Sequence, residues 1–159
     1  MTKLDLYTDE YSAKRAQSPY GISAGGVVFK ETDDKLEFLL LGRIVDGGTS
    51  YHLPKGTLYL GETLEACAIR EIREEAGVNV TLKTYIGGKQ ASFEYEGKLS
   101  DKTIHYYVAE YTSDAEPMDN EHDFREWVSY EQAVEKLSTN KKREDIFVTR
   151  CMDYLKNHG

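Results

Sequence analysis

The chain lacks a surplus of positive charge, a long apolar run and any close pair of cysteines, and each absence removes a class of function. Lys and Arg total 20 against 28 Asp and Glu, a formal charge of −8. A protein that binds duplexes without regard to sequence needs a cationic face to displace counterions from phosphates, and docking on anionic lipid makes a similar demand. Neither partner is expected. No apolar run approaches the ~20 residues of a membrane span, and Met1 to Pro19 is polar and mixed in charge, without the apolar core of a signal peptide. Cys67 and Cys151 are the two cysteines and form no CxxC motif, so neither a zinc site nor a disulfide framework is suggested. Reduced thiols and a cytoplasmic location follow as expectations. An acidic chain can still act on a small polyanion, provided a metal ion stands between acid and acid.

A length of 159 residues with 40 % hydrophobic content suits one domain and one core. Residues 1–18 read as an N-terminal extension and 19–159 as a single domain. Gly21 to Phe29 is a β-rich run containing small residues, and Leu36 to Leu41 reads as its hairpin partner. Asp46 to Ser50 reads as a loop and Tyr51 to Pro54 as a short extended piece. The pattern predicts a helix over Thr63 to Ala76, closed by Gly77, where glycine accepts left-handed dihedrals. Strands are predicted at Val78 to Ile86, Gln90 to Tyr95, Thr103 to Tyr111 and Glu126 to Ser129, and helices at Glu131 to Leu137 and Arg143 to Lys156. Strands interleaved with helices give a mixed α/β class.

The predicted helix at 63–76 carries an unusual concentration of acids. On a helical wheel, Leu64, Ala68, Ile69, Ile72 and Ala76 form the apolar stripe. Glu71 and Glu75 fall at one margin of that stripe, with Glu74 slightly further round. Three carboxylates this close repel one another and resist desolvation, so something must compensate them. Arg70 and Arg73 can do so as ordinary ion pairs on a solvated face. A divalent cation does so better, because carboxylate oxygens are hard ligands suited to Mg²⁺ or Mn²⁺.

Around the helix the chain reads GTLYLGETLEACAIREIREEAGV, matching G-x5-E-x7-R-E-U-x-E-E-x-G-U (U aliphatic) at Gly56, Glu62, Arg70, Glu71, Ile72, Glu74, Glu75, Gly77 and Val78. Chance would produce such a match in a chain of this length with odds on the order of 10⁻⁷. The segment resembles the Nudix box of the Nudix hydrolase superfamily. SAGGVVF and HLPKG upstream, and YIGGKQASFEYEGKLSDKTIHYYVAEY and NEHDFREWVSYEQAVEKL downstream, are similar to diadenosine tetraphosphate hydrolases, most of all the bacterial ones.

The resemblance implies an α/β/α sandwich around a mixed sheet and hydrolysis of a nucleoside polyphosphate by water attack on phosphorus, giving ATP and AMP from diadenosine tetraphosphate. Removal of pyrophosphate from RNA 5′ ends, hydrolysis of another nucleotide or inositol pyrophosphate, and nucleotide sensing without catalysis are the alternatives. It implies Mg²⁺ or Mn²⁺ on Glu71, Glu74 and Glu75, with Glu121 from a later loop as a further ligand or base. Glu74 is the favoured acceptor of the water's proton, and Arg70 orients the neighbouring carboxylates. Gly56 and Gly77 shape the loop and helix end, and Glu62 shapes the loop. Lys55, His52 and Arg43 are candidate phosphate contacts, with Lys89 and Lys102 behind them. Tyr85, Tyr95 and Tyr107 are candidates for stacking on a base. A monomer or homodimer is expected.

Charge is unevenly placed. Glu62 to Val78 holds five acids against two bases, and Asp114 to Glu126 holds six against one. The remainder of the chain balances at 17 of each sign. The whole excess lies in the box helix and in the loop that bears Glu121.

Overall fold

The structure, a computed structural model, describes residues 6–7, 21–95, 97–116 and 121–158. Apart from Leu6–Tyr7 (β1), the 1–18 extension lies outside the described residues. Seven further strands are β2 Ile22–Thr32, β3 Lys35–Val45, β4 Gly48–His52, β5 Lys55–Thr57, β6 Val78–Tyr95, β7 Lys98–Asp114 and β8 Phe124–Val128. The helices are α1 Leu64–Ala76, α2 Tyr130–Ser138 and α3 Asp145–His158.

Alternation along the strands builds three layers. In β3, Phe38 and Leu40 face one way and Leu39 and Leu41 the other, and all four are fully buried. Phe38, Leu40, Val27, Tyr106 and Val108 meet Ala133 and Leu137 of α2 and Phe147, Val148 and Cys151 of α3. Leu39, Leu41, Val28 and Ala109 meet Ile72 and Ala76 of α1 on the opposite face. A sheet whose strands are apolar on both faces must be covered on both. The result is the expected α/β/α sandwich. The sheet runs β1-β6-β7-β2-β3-β4, with β5 also on β2 and β8 on β3. It is mixed because β2 and β7 pair in parallel, Ile22 opposite Thr103 through Phe29 opposite Glu110.

Several predicted boundaries change. The runs at 78–86 and 90–95 are one 18-residue strand, β6. Gly87 and Gly88, between the two predicted runs, pair with Tyr106 and His105 of β7, and the register shift beside them leaves out Ile86. The stretch 46–50 is no loop throughout: Val45 pairs with Gly48 across a two-residue turn, Asp46–Gly47, in which Gly47 has φ 87°. Gly47 supplies the positive φ at little steric cost. In α1 the stripe differs at one position: Cys67 is buried, whereas Ile69 is 38 % exposed. Glu75 lies within the buried arc rather than at its margin.

Both ends of α1 form as the sequence dictates. The Thr63 hydroxyl accepts from Ala66 N at 3.1 Å, and Gly77, at φ 68°, donates its N–H to Arg73 O at 3.0 Å. Short β5 pairs with β2 immediately before α1, setting Gly25 opposite Lys55 and Ala24 opposite Gly56. This pairing brings the pre-box loop against the helix that carries the acids.

Candidate active site

Arg70 organises the exposed half of the acidic face. Its Nε and Nη2 donate to Glu62 at 2.7 and 2.9 Å, and Nη2 also donates to the Thr57 carbonyl at 2.9 Å. Nη1 donates to Glu71 and, at 3.1 Å, to Glu74. The guanidinium lies 3.6 Å over the Tyr59 ring. Hydrogen bonding to Arg70 holds the Glu62 carboxyl below its usual range, and the same bond to Glu62 raises Arg70. Glu62 also accepts from Tyr59 N at 3.0 Å, closing the loop between β5 and α1. At Gly56 a β-carbon would stand 1.7 Å from Glu71 Oε2, so the backbone here is in contact with the carboxylate.

Glu71 and Glu75 are the desolvated acids. Burial is the main cause that raises Glu71 above the usual carboxylate range. Burial likewise pushes Glu75 up to about 8, opposed by the hydrogen bond from Lys55 N (2.8 Å) and assisted by Glu121. Glu74 differs, with its side chain 44 % exposed. Among the described residues, Glu75, Glu121 and His122 each offer a ligand atom, and these atoms all lie within 4.8 Å of one another. A cluster of two carboxylates and an imidazole suits a divalent cation. Arg43 anchors the loop that brings Glu121 there, donating through Nε and Nη2 to the Glu121 carbonyl at 3.0 and 2.7 Å. Asp123 accepts from Ile44 N at 2.6 Å and fixes the next turn of that loop.

A cleft of ≈200 Å³ opens beside Glu75 and Glu121. Its lining is also basic, with Lys55, Lys102 and Lys142 from three separate segments. Burial lowers Lys102 and Lys142 from their ordinary values, and the nearby charge of Lys55 lowers both further. Lys55 is ion-paired with Glu144 at 3.0 Å. Lys89 is 2 % exposed, its ammonium bound to the Lys142 carbonyl, and burial lowers it to about 8. His52 also lines the cleft, its Nε2 2.8 Å from Ser50 Oγ; burial, followed by Lys142, lowers it to about 4.

The tyrosines are placed differently. Tyr107 is 3 % exposed beneath α1, and its hydroxyl donates to Glu65 at 2.7 Å. Tyr85 packs edge-on against Tyr107 with ring centroids 5.4 Å apart, and its hydroxyl lies 3.0 Å from His105 Nδ1. Neither is among the cleft-lining residues. The side chain of Tyr95 lies outside the described residues. Sequence reasoning missed His122, Lys142 and Glu144. Adjacency to Glu121 was a signal for the first, whereas the other two sit in a charge run, KKRED, that reads as the start of a helix.

Comparison with known proteins agrees with this architecture. A protein named MutT4 in Mycobacterium tuberculosis is 30 % identical over 91 % of this chain, which spans 61 % of that relative's length. The asymmetrical bis(5'-nucleosyl)-tetraphosphatase of Mus musculus is 32 % identical over 67 % of this chain and 73 % of its own. In three dimensions the fold is similar to a C. elegans Ap4A hydrolase in a binary complex, with a TM-score of 0.63 and 23 % identity over 86 % of this chain and 98 % of that one. Among the described residues no helix is long and apolar enough to cross a membrane. The NUDIX domain model matches residues 19–151, and with the box, the sandwich and the acidic cluster in place, the chain belongs to the Nudix hydrolase superfamily.

Proposed function

We propose that the chain hydrolyses a nucleoside polyphosphate, cleaving diadenosine tetraphosphate asymmetrically to ATP and AMP. The observation that carries this reading is the cleft itself. Glu75 and Glu121 line one cleft together with Lys55, Lys102 and Lys142. A polyphosphate chain needs both, lysines for its oxygens directly and acids to hold cations for the rest. The similarity to the mouse tetraphosphatase supports the choice of substrate.

The donor set fits Mg²⁺ or Mn²⁺: Glu71, Glu74, Glu75 and Glu121 would hold the ions, with His122 beside them. A divalent ion held there supplies positive charge to the bridging phosphates and acidifies a water. Arg70 keeps Glu71 and Glu74 in one orientation. Glu74, the most open to water of the three box acids, takes the proton of the attacking water. Attack at phosphorus breaks the bridging P–O bond in line, and the departing phosphate oxygen keeps the electron pair. Lys55, Lys102 and Arg43 orient the phosphate chain from the cleft lining, with His52 beside them. Tyr85 and Tyr95 remain the aromatic residues proposed for base recognition, and Tyr107, buried with its hydroxyl on Glu65, supports Tyr85 from within the core.

Product analysis on a panel of dinucleoside polyphosphates, nucleotide sugars, ADP-ribose and 5′-triphosphate RNA, with Mg²⁺, tests the assignment. Diadenosine tetraphosphate giving equal ATP and AMP is the expected outcome. Faster turnover of RNA or ADP-ribose would overturn it. Glu74→Gln should lower kcat by about 10²-fold or more, the usual contribution of a positioned proton acceptor, and an unchanged kcat would remove Glu74 from that role.

A further inference from the structure

Glu144, the residue immediately before α3, has a side chain only 1 % exposed. Its Oε2 lies 3.0 Å from Lys55 Nζ and accepts the Tyr106 hydroxyl at 2.6 Å; its Oε1 accepts Leu53 N–H at 3.1 Å. Its carbonyl also caps α3, accepting from Phe147 N at 3.0 Å. Two segments distant in sequence, 53–55 and the strand bearing Tyr106, therefore converge on one carboxylate inside the domain.

Such an arrangement is not needed for stability, since well-packed apolar side chains in place of a buried ion pair often do as well or better. What it does accomplish is geometric. Lys55 both lines the cleft and pairs with Glu144. Its backbone N–H donates to Glu75 at 2.8 Å, while its side chain, 13 % exposed, runs back to Glu144. A lysine stem has four methylenes and many rotamers, and left alone it must be ordered each time ligand binds. With its far partner fixed by Tyr106, Leu53 and the start of α3, the ammonium is held at the cleft wall before ligand arrives.

We infer that Glu144 is a positioning residue, fixing the Lys55 ammonium at the cleft wall so that it meets a polyphosphate chain already ordered. The inference rests on the proposed role of Lys55 as a phosphate contact. Glu144 does not touch the ligand; it acts through Lys55 alone, so its contribution must disappear when Lys55 is removed.

The test uses the full chain with Glu144→Gln, Lys55→Met and the double variant. It reads KM and kcat on diadenosine tetraphosphate with Mg²⁺, and Kd for inorganic tripolyphosphate by calorimetry. Each single variant should raise KM and the tripolyphosphate Kd by about tenfold with a much smaller change in kcat, the pattern of lost binding rather than lost chemistry. Glu144→Gln should add nothing further in the Lys55→Met background. Full additivity there, or an unchanged KM and Kd in Glu144→Gln alone, would overturn the inference while leaving Lys55 as a phosphate contact. Unchanged values in Lys55→Met would remove the phosphate reading of Lys55, and the role of Glu144 with it. Should Glu144→Gln fail to fold, Tyr106→Phe withdraws a single hydrogen bond from the same carboxylate. It should raise both constants severalfold, again only while Lys55 is present, and no rise would overturn the proposal.

Discussion

At the scale of single residues, Arg70 is the side chain on which most of the acidic face depends. One guanidinium serves Glu62, Glu71, Glu74 and the Thr57 carbonyl at once, from a side chain 13 % exposed. Only a planar fork with five donors can do this; lysine offers a single point charge on a flexible stem. Arg70→Lys should therefore keep the charge and lose the geometry. Residues that orient ligands of a metal centre typically contribute 10- to 100-fold in activity. We expect a fall in kcat of about that size in Mg²⁺ assays, together with weaker Mg²⁺ dependence. Wild-type kcat in Arg70→Lys would show that charge alone suffices.

At the scale of elements, two glycines on paired strands make opposite demands. A β-carbon on Gly25 would meet the Pro54 carbonyl at 2.0 Å and Lys55 Cα at 2.6 Å, both backbone atoms that cannot step aside. A β-carbon on Gly56 would meet the Glu71 carboxylate, the end of a side chain that can turn away. Gly25→Ala should cost about 3 kcal/mol or more, the upper range for overpacking, read as a lowered midpoint in urea. Gly56→Ala should stay folded and instead lose turnover, because the displaced carboxylate is one of the proposed cation ligands. Equal stability of the two variants would contradict this division. The same elements show what the sequence reveals and what it hides. Helix α1 was legible to within one residue: Gly77 marks its end, and Thr63, read as its first residue, is its N-cap. The acids of the box were legible through their spacing. The merging of two predicted strands into β6 was not, since bulges keep the ladder continuous past Gly87 and Gly88 only because β7 is there to pair with. Burial of Tyr107 beneath α1, the arrival of Lys142 at the cleft and the pairing of Glu144 with Lys55 depend on contacts between distant segments. No local pattern encodes them.

At the scale of the whole molecule, the net charge of −8 hides a cleft lined by acids and lysines together, and that mixture has a pH signature. His52 and His105 are held at about 4 by burial, against an ordinary value of 6.5. Between those values the unfolded chain binds protons that the folded one refuses, so stability falls as pH drops from 6.5 toward 4. Burial opposes the ionised form of Glu144, but Lys55 and Lys89 outweigh it and hold the group at about 2, against 4.5. Its contribution is therefore full above 4.5 and is lost as pH falls toward 2. Glu75 runs the other way. Held at about 8, it keeps a proton in the folded chain that the unfolded one releases above 4.5, so its stabilising share is lost as pH rises through 8. A cation on Glu75 needs that proton gone, and it relieves the repulsion left behind. Melting temperatures measured from pH 4.5 to 8.5, with and without Mg²⁺, should fall on the acid side in both series. The Mg²⁺-dependent increment should grow steadily from pH 6 to pH 8 and shrink in Glu75→Gln, whose side chain has no proton to give up. An increment that is flat with pH, or unchanged in Glu75→Gln, would place the cation away from Glu75.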